Sequence, residues 1–302
     1  MPSDRSGSSF YAPSTYTHAP QGGASSSGAA GGGKRARRPR RARDIISTVL
    51  IIVGVALLLT AAGLFIHAQL GYKQAQDSYA KLDGYAKVAQ TAQGTVDPIP
   101  AVDFDALSAI NPDLVGWIYV PGTNISYPVV QTDDNSTYLT KLFDGTWNAS
   151  GSIFMDMDAT KPGLVDQQTT LYGHHMNDGT MFNLIDKTID QAEFDKIGNV
   201  YYITRDTTYT FKPMLTAQVD DTYGDARTPN FSGDATLSSY LTAMLDKAKA
   251  KASDASERVA STQQVLTLVT CATAFSPTTI RSAMVCTLTA SVPTSQATVQ
   301  GQ

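Results

Sequence analysis

The sequence is poor in the residues that hold metals, cofactors and covalent cross-links. Its 302 residues include two cysteines, four histidines and two tryptophans. Two cysteines do not make a disulfide framework in so long a chain. No CxxC or HxxxH spacing occurs, and the adjacent pair His174 and His175 would point to opposite faces of an extended segment, so the two cannot share one zinc ion. The sequence therefore predicts no metal and no cofactor. Long helical patterns are few, which argues against a doubly wound α/β fold, and no internal repeat is visible. Cations are scarce as well. The first 66 residues hold eight Lys and Arg against two Asp and Glu, leaving 15 against 25 in the rest, a net charge of −10 there. Such a segment lacks the clustered cations that neutralise phosphates, and no nucleic-acid partner is expected.

What is present falls into segments. Residues 1–33 are Ser, Gly, Ala, Pro and Tyr with almost no aliphatic side chains. They cannot bury enough apolar surface to offset the entropy of ordering, and read as a disordered tail. Residues 34–44 form a basic juxtamembrane segment, with seven Lys and Arg in "KRARRPRRAR". Residues 45–66 carry no charge. As a helix they would extend about 33 Å, enough to cross a hydrocarbon core of about 30 Å. The basic cluster beside them predicts a cytoplasmic N-terminus and an extracellular remainder in a single-pass membrane protein. A cleaved signal peptide is the competing reading. It fits less well, because the apolar run is longer than a signal core and starts after a long polar tail.

Residues 67–99 are rich in Ala, Gln and Lys and read as a helical, semi-exposed extracytoplasmic stalk, ended by the Gly and prolines of "GTVDPIPAV". Residues 100–290 read as the globular domain, and 291–302 as a polar tail. Within the domain, eight short runs separated by turn signals read as strands: "LVGWIYV", "ISYPVVQ", "SIFMDM", "TTLYG", "VYYIT", "TYTFKPMLTAQV", "QVLTLVTC" and "RSAMVCTLTASV". The fold class expected is mostly β, an eight-stranded closed barrel with added helices behind a transmembrane helix. One helix starts at Phe104 and stops at Pro112. A second places Leu237, Tyr240, Leu241, Met244, Leu245 and Ala248 on one core-facing side.

Two strand ends carry chemistry. "TLYGHHMNDGTMF" (170–182) ends an apolar run on His174, and "VLTLVTC" ends one on Cys271. A free cysteine is only about 3% thiolate at neutral pH, so a nucleophilic cysteine needs a cationic neighbour such as imidazolium. The thiolate could attack a carbonyl to give a thioester while the histidine protonates the leaving amine. Arg281, ten residues after Cys271 at the opening of the next strand, offers a donor for the oxyanion. Each feature has a plainer reading. A lone strand-end cysteine is usually a buried small hydrophobe, as Cys286 is expected to be; Arg281 could be a surface charge; and "NDG" is a good turn.

Taken together, "TLYGHHMNDGTMF", then "TLVTC" and an Arg ten residues on, behind an N-terminal anchor, resemble the sortases, specifically the class B type. The similarity covers roughly residues 100–290 and includes "INPDLVGWIYVPGTNISYPVVQ" and the helix before the seventh strand. It implies a sortase-type barrel and a cysteine transpeptidase. The catalytic histidine would be His174, directly after Gly173, with His175 a neighbour. The nucleophile would be Cys271, after Thr270, and the oxyanion or substrate-positioning arginine Arg281.

Class B members often carry Ser two residues before the cysteine and an acidic residue after it, where this chain has Val269 and Ala272. That departure bears on substrate or acceptor preference. The implied partners are secreted proteins with a C-terminal sorting motif, a peptidoglycan cross-bridge or pilin amine as acceptor, and the cell membrane. The chain ends in polar "SVPTSQATVQGQ", so it is expected to be the enzyme and not the cargo.

A pilin-polymerising sortase is the nearest alternative. Many of those bear an Asp-Pro-aromatic lid and a second membrane helix, whereas Asp97-Pro98 is followed here by Ile99 and no second span is found. Papain-like amidases place Cys before His. L,D-transpeptidases expect Gly before the Cys. A catalytically silent surface scaffold would be expected to have lost one of His174, Cys271 and Arg281.

Overall fold

The computed structural model describes residues 41–88, 99–271 and 279–297. The predicted disordered tail, most of the basic segment and the end of the polar tail lie outside the described residues. The chain divides into two units, residues 1–58 and 59–302. Helix α1 (Arg41–Leu82) runs through 42 residues. It contains an 18-residue window of mean hydropathy 2.9 with no buried residue, which makes it a candidate membrane span. Its last turns differ from the rest. Ala75, Tyr79 and Leu82 are buried in the domain core, so part of the segment expected as a stalk packs as core.

All eight expected strands form. They are preceded by a small pair, β1 (Ala86–Val88) and β2 (Pro100–Val102). The barrel strands are β3 (Leu114–Tyr119), β4 (Ser126–Val130), β5 (Ile153–Met155), β6 (Gln168–Tyr172), β7 (Val200–Ile203), β8 (Thr207–Asp220), β10 (Val265–Cys271) and β11 (Ile280–Pro293). A short β9 (Ala248–Lys251) adds to β8. The order is β11-β10-β6-β5-β4-β3-β7-β8-β9, and a β11–β8 pairing closes eight of these strands into a barrel, leaving β9 outside the ring. Closure removes the two sheet edges that would otherwise expose unpaired backbone.

Pro213 explains a local irregularity in β8. It has no N–H to donate and is tolerated where a ladder is interrupted. It sits between the residues paired with β7 (208–211) and those paired with β9 (215–217), opposite a register shift at Val285/Cys286.

Period-two alternation sorts the core into two clusters. On β10, Leu266 and Leu268 face one cluster while Val265 and Val269 face the other; on β11, Met284 and Cys286 oppose Ala283 and Val285 in the same way. These strands are therefore apolar on both faces and read as unbroken runs. The second cluster is covered by a helix. The helices that follow α1 include α2 (Phe104–Ile110), α3 (Asn183–Lys187), α4 (Gln191–Phe194) and α5 (Leu237–Lys247). Helix α5 starts on a reciprocal capping box between Thr236 and Ser239 and buries Leu237, Tyr240, Leu241 and Met244. It ends where Ala248 turns extended, and β9 begins there, with Ala250 buried between exposed Lys249 and Lys251.

Gly116 on β3 packs directly beneath an aromatic ring. A Cβ there would lie 2.6 Å from Cζ of Tyr202, itself fully buried. Gly116→Ala is expected to destabilise the domain by about 1–3 kcal/mol through overpacking, read from the urea unfolding midpoint.

Candidate active site

The motif around His174 is built from its glycine outward. Gly173 extends β6 by donating its N–H to the Val269 carbonyl at 3.1 Å. A Cβ at Gly173 would sit 2.5 Å from Cδ1 of Ile153 and 2.7 Å from Cγ of Phe182, so only glycine fits. The chain then turns. Phe182 N–H donates to the His174 carbonyl at 3.0 Å. Asp178 Oδ1 accepts from the Thr180 amide and hydroxyl at 3.0 and 2.6 Å, and Gly179 takes φ +83°. The "NDG" sequence is thus an Asx-type turn that closes the loop.

The adjacent histidines part company. His174 lines a cleft of about 290 Å³ at the ends of β6 and β10. Its Nε2 lies 2.8 Å from the Leu139 carbonyl, and since a carbonyl only accepts, Nε2 carries the proton. A backbone carbonyl therefore orients this ring, the part that an Asp or Asn side chain plays in the familiar catalytic triads. His175 is directed elsewhere, with Nδ1 at 3.7 Å from Asp186 Oδ2.

Register brings the three expected residues to one place. Parallel β10 and β6 match Val269 with Tyr172, so the backbone of Cys271 lies two residues past that match just as His174 does. Antiparallel β10 and β11 match Cys271 with Arg281. Arg281 lines the same cleft and pairs with Asp221 Oδ2 at 3.3 Å. Cys286 is fully buried, and burial pushes its thiol pKa well above the ordinary value, which makes it the packing residue expected.

Four further cleft residues escaped sequence reasoning: Asn135, Tyr172, Asp221 and Arg227. Three of them converge on Asp156, a carboxylate only 1% exposed. Its Oδ2 accepts from Tyr172 Oη at 2.7 Å, Asn135 Nδ2 at 3.1 Å and Arg227 Nε at 3.1 Å. Arg227 also reaches Asp158 Oδ2 at 2.8 Å. Burial, reinforced by the Asp156 charge, raises the Tyr172 phenol and keeps it a neutral donor. Burial works against the Arg227 charge, but Asp156 outweighs it and the guanidinium pKa is raised. Their signal was faint: "MDMD" shows two acids at alternate positions, but their arginine lies far along the chain.

Helix α1 supports the backbone beside the His174 ring. Tyr79 Oη donates to the Gly151 carbonyl at 2.7 Å. Gly151 holds φ +58° in a space bounded by the Tyr138 carbonyl at 2.5 Å and His174 Cδ2 at 3.1 Å from a notional Cβ.

The Asp156 network yields a stability contrast. Asp156→Ala leaves several donors without their acceptor, and is expected to cost about 1–3 kcal/mol. Asp158 is 54% exposed, and Asp158→Ala should cost at most about 1 kcal/mol. Equal urea midpoints for the two variants would contradict this account.

The sortase-domain family model matches residues 118–289. Sortase B of Staphylococcus aureus is 31% identical over 215 residues, covering 70% of this chain and 84% of that protein. The Staphylococcus aureus sortase B–substrate complex superposes with a TM-score of 0.55 at 30% identity, over 62% of this chain and 84% of that one. Sortase B from Bacillus anthracis, in complex with AAEK1, gives a TM-score of 0.58 at 27% identity, over 72% and 98%. With a barrel closed as in those structures and a sequence match across most of both chains, this chain belongs to the sortase family, class B type, and is a cysteine transpeptidase.

Proposed function

We propose that the enzyme cleaves a C-terminal sorting signal of secreted proteins, holds the acyl group on Cys271 and transfers it to an amine of the cell wall. Residues 45–66 would anchor it in the membrane with the N-terminus cytoplasmic, a reading supported by the basic run at 34–43. The observation that carries the catalytic part is the strand register, with Cys271 matched to Arg281 and β10 alongside the strand that ends at His174.

In the first half-reaction the Cys271 thiolate attacks the scissile carbonyl carbon. Arg281 holds the resulting oxyanion, and His174 gives its proton to the departing amine, leaving a thioester. In the second, the incoming amine loses a proton to His174 and attacks the thioester; the thiolate departs and a new amide forms. The Leu139 carbonyl supports this role by fixing the imidazole through Nε2, which leaves Nδ1 for the transferred proton.

The test mixes the protein with sorting-type peptides, with and without an amine, and follows intact mass. A peptide-acyl adduct should form on the wild type, be discharged by the amine and be absent from Cys271→Ala. Arg281→Ala should slow adduct formation by about 10²–10³-fold, and His174→Ala by about 10²–10⁴-fold. An adduct that survives Cys271→Ala would overturn the assignment. In that variant Cys286 is the remaining thiol, and it should react with a thiol reagent only after denaturation, because it is fully buried.

A further inference from the structure

Helix α1 stays bound to the domain close to the end of its apolar run. The Gly71 carbonyl accepts from Asn148 Nδ2 at 2.9 Å, and Asn148 is only 2% exposed. This bond fixes to the helix a tight turn formed by residues 141–147. In it Lys141 and Trp147 form an isolated bridge, Leu142 N–H donates to the Thr146 carbonyl at 2.8 Å, and Gly145 adopts φ +81°. The turn presents Trp147 with 65% of its surface exposed, while the other tryptophan, Trp117, is fully buried. Between Trp147 and the helix runs a mostly apolar groove lined by Leu70, Gly71, Tyr72 and Met176.

The height of this groove decides what fills it. Gly71 lies five residues past Ile66, about 7.5 Å further along the helix axis. The polar layer on each side of a hydrocarbon core of about 30 Å is roughly 5–8 Å deep. With Ile66 at the edge of that core, Trp147, next to the residue bonded to Gly71, would stand near the outer part of that layer. The groove is also continuous with an exposed apolar flank, since Leu64, Phe65, Ile66 and Leu70 are each between 58% and 67% exposed. Exposed Lys73 stands just above, where its stem can lie along the apolar surface and its ammonium can meet lipid phosphates. Tryptophan and tyrosine concentrate at this depth because their rings are apolar and their N–H or O–H is wet.

We propose that Trp147, with Leu70 and Tyr72, docks the catalytic domain on the outer interface of the phospholipid bilayer. This holds the barrel at a fixed height above the membrane, instead of leaving one helix as its sole attachment. It rests on the reading of residues 45–66 as a membrane span.

The experiment uses the full chain reconstituted in vesicles of phosphatidylcholine and phosphatidylglycerol, some carrying bromine on the upper acyl chain as a short-range quencher. Wild-type protein should lose tryptophan emission in the brominated vesicles. Trp147→Phe, which keeps buried Trp117 as an internal reference, should lose little. Bromine placed near the bilayer centre should quench Trp147 less than bromine near the interface. Equal quenching of wild type and Trp147→Phe in protein that floats with the vesicles would overturn the docking while leaving the span intact. Protein that does not float with the vesicles at all would overturn the span, and the docking with it.

Discussion

The pairing of β10 with β6 on one side and β11 on the other is the constraint on which the site depends. Strand pairing has a period of two, so a slip of one residue would reverse the facing of every side chain and separate the strand ends. The slip is prevented by burial on both faces: Leu266 and Leu268 are needed in one core cluster and Val265 and Val269 in the other. Barrel closure through β8 and β11 then fixes β11 from its far side. With register locked in this way, residues more than ninety positions apart in sequence reach one cleft without any local motif joining them.

Polar groups around the cleft are organised by fixed acceptors. The Leu139 carbonyl orients His174, and Asp156 gathers Tyr172, Asn135 and Arg227. A buried carboxylate is unfavourable unless its lone pairs are satisfied. Here the satisfying donors are themselves walls of the cleft, so the same bonds that make Asp156 tolerable hold the site's shape. Arg281, by contrast, pairs with the partly exposed Asp221.

Much of this was legible in the sequence. The eight barrel strands, the starts of α2 and α5, the turn at "NDG", the divergence of His174 from His175 and the burial of Cys286 all follow from period and turn chemistry. Features set by distant partners were not legible. "KAKAK" continues a helical pattern, yet Ala248–Lys251 becomes a strand because β8 runs on past its β7 pairing at 208–211 and β9 takes up that side at 215–217. The segment after Leu70 looks semi-exposed, yet Tyr79 finds a buried carbonyl at Gly151. Arg227 sits in a short 3-10 turn without a recognisable signal, and its role in the cleft arises from carboxylates on another strand. Local propensity is read from neighbours in the chain, whereas these three depend on neighbours in space.

The central claim is that His174, Cys271 and Arg281 act on one bound carbonyl. It is tested most directly by a crystal structure of the protein with a sorting-type peptide linked covalently to Cys271. The account predicts an imidazole nitrogen of His174 and the Arg281 guanidinium within hydrogen-bonding reach, about 2.7–3.5 Å, of the sulfur and the acyl oxygen respectively. A linked peptide lying outside the cleft, with both groups beyond that reach, would contradict it.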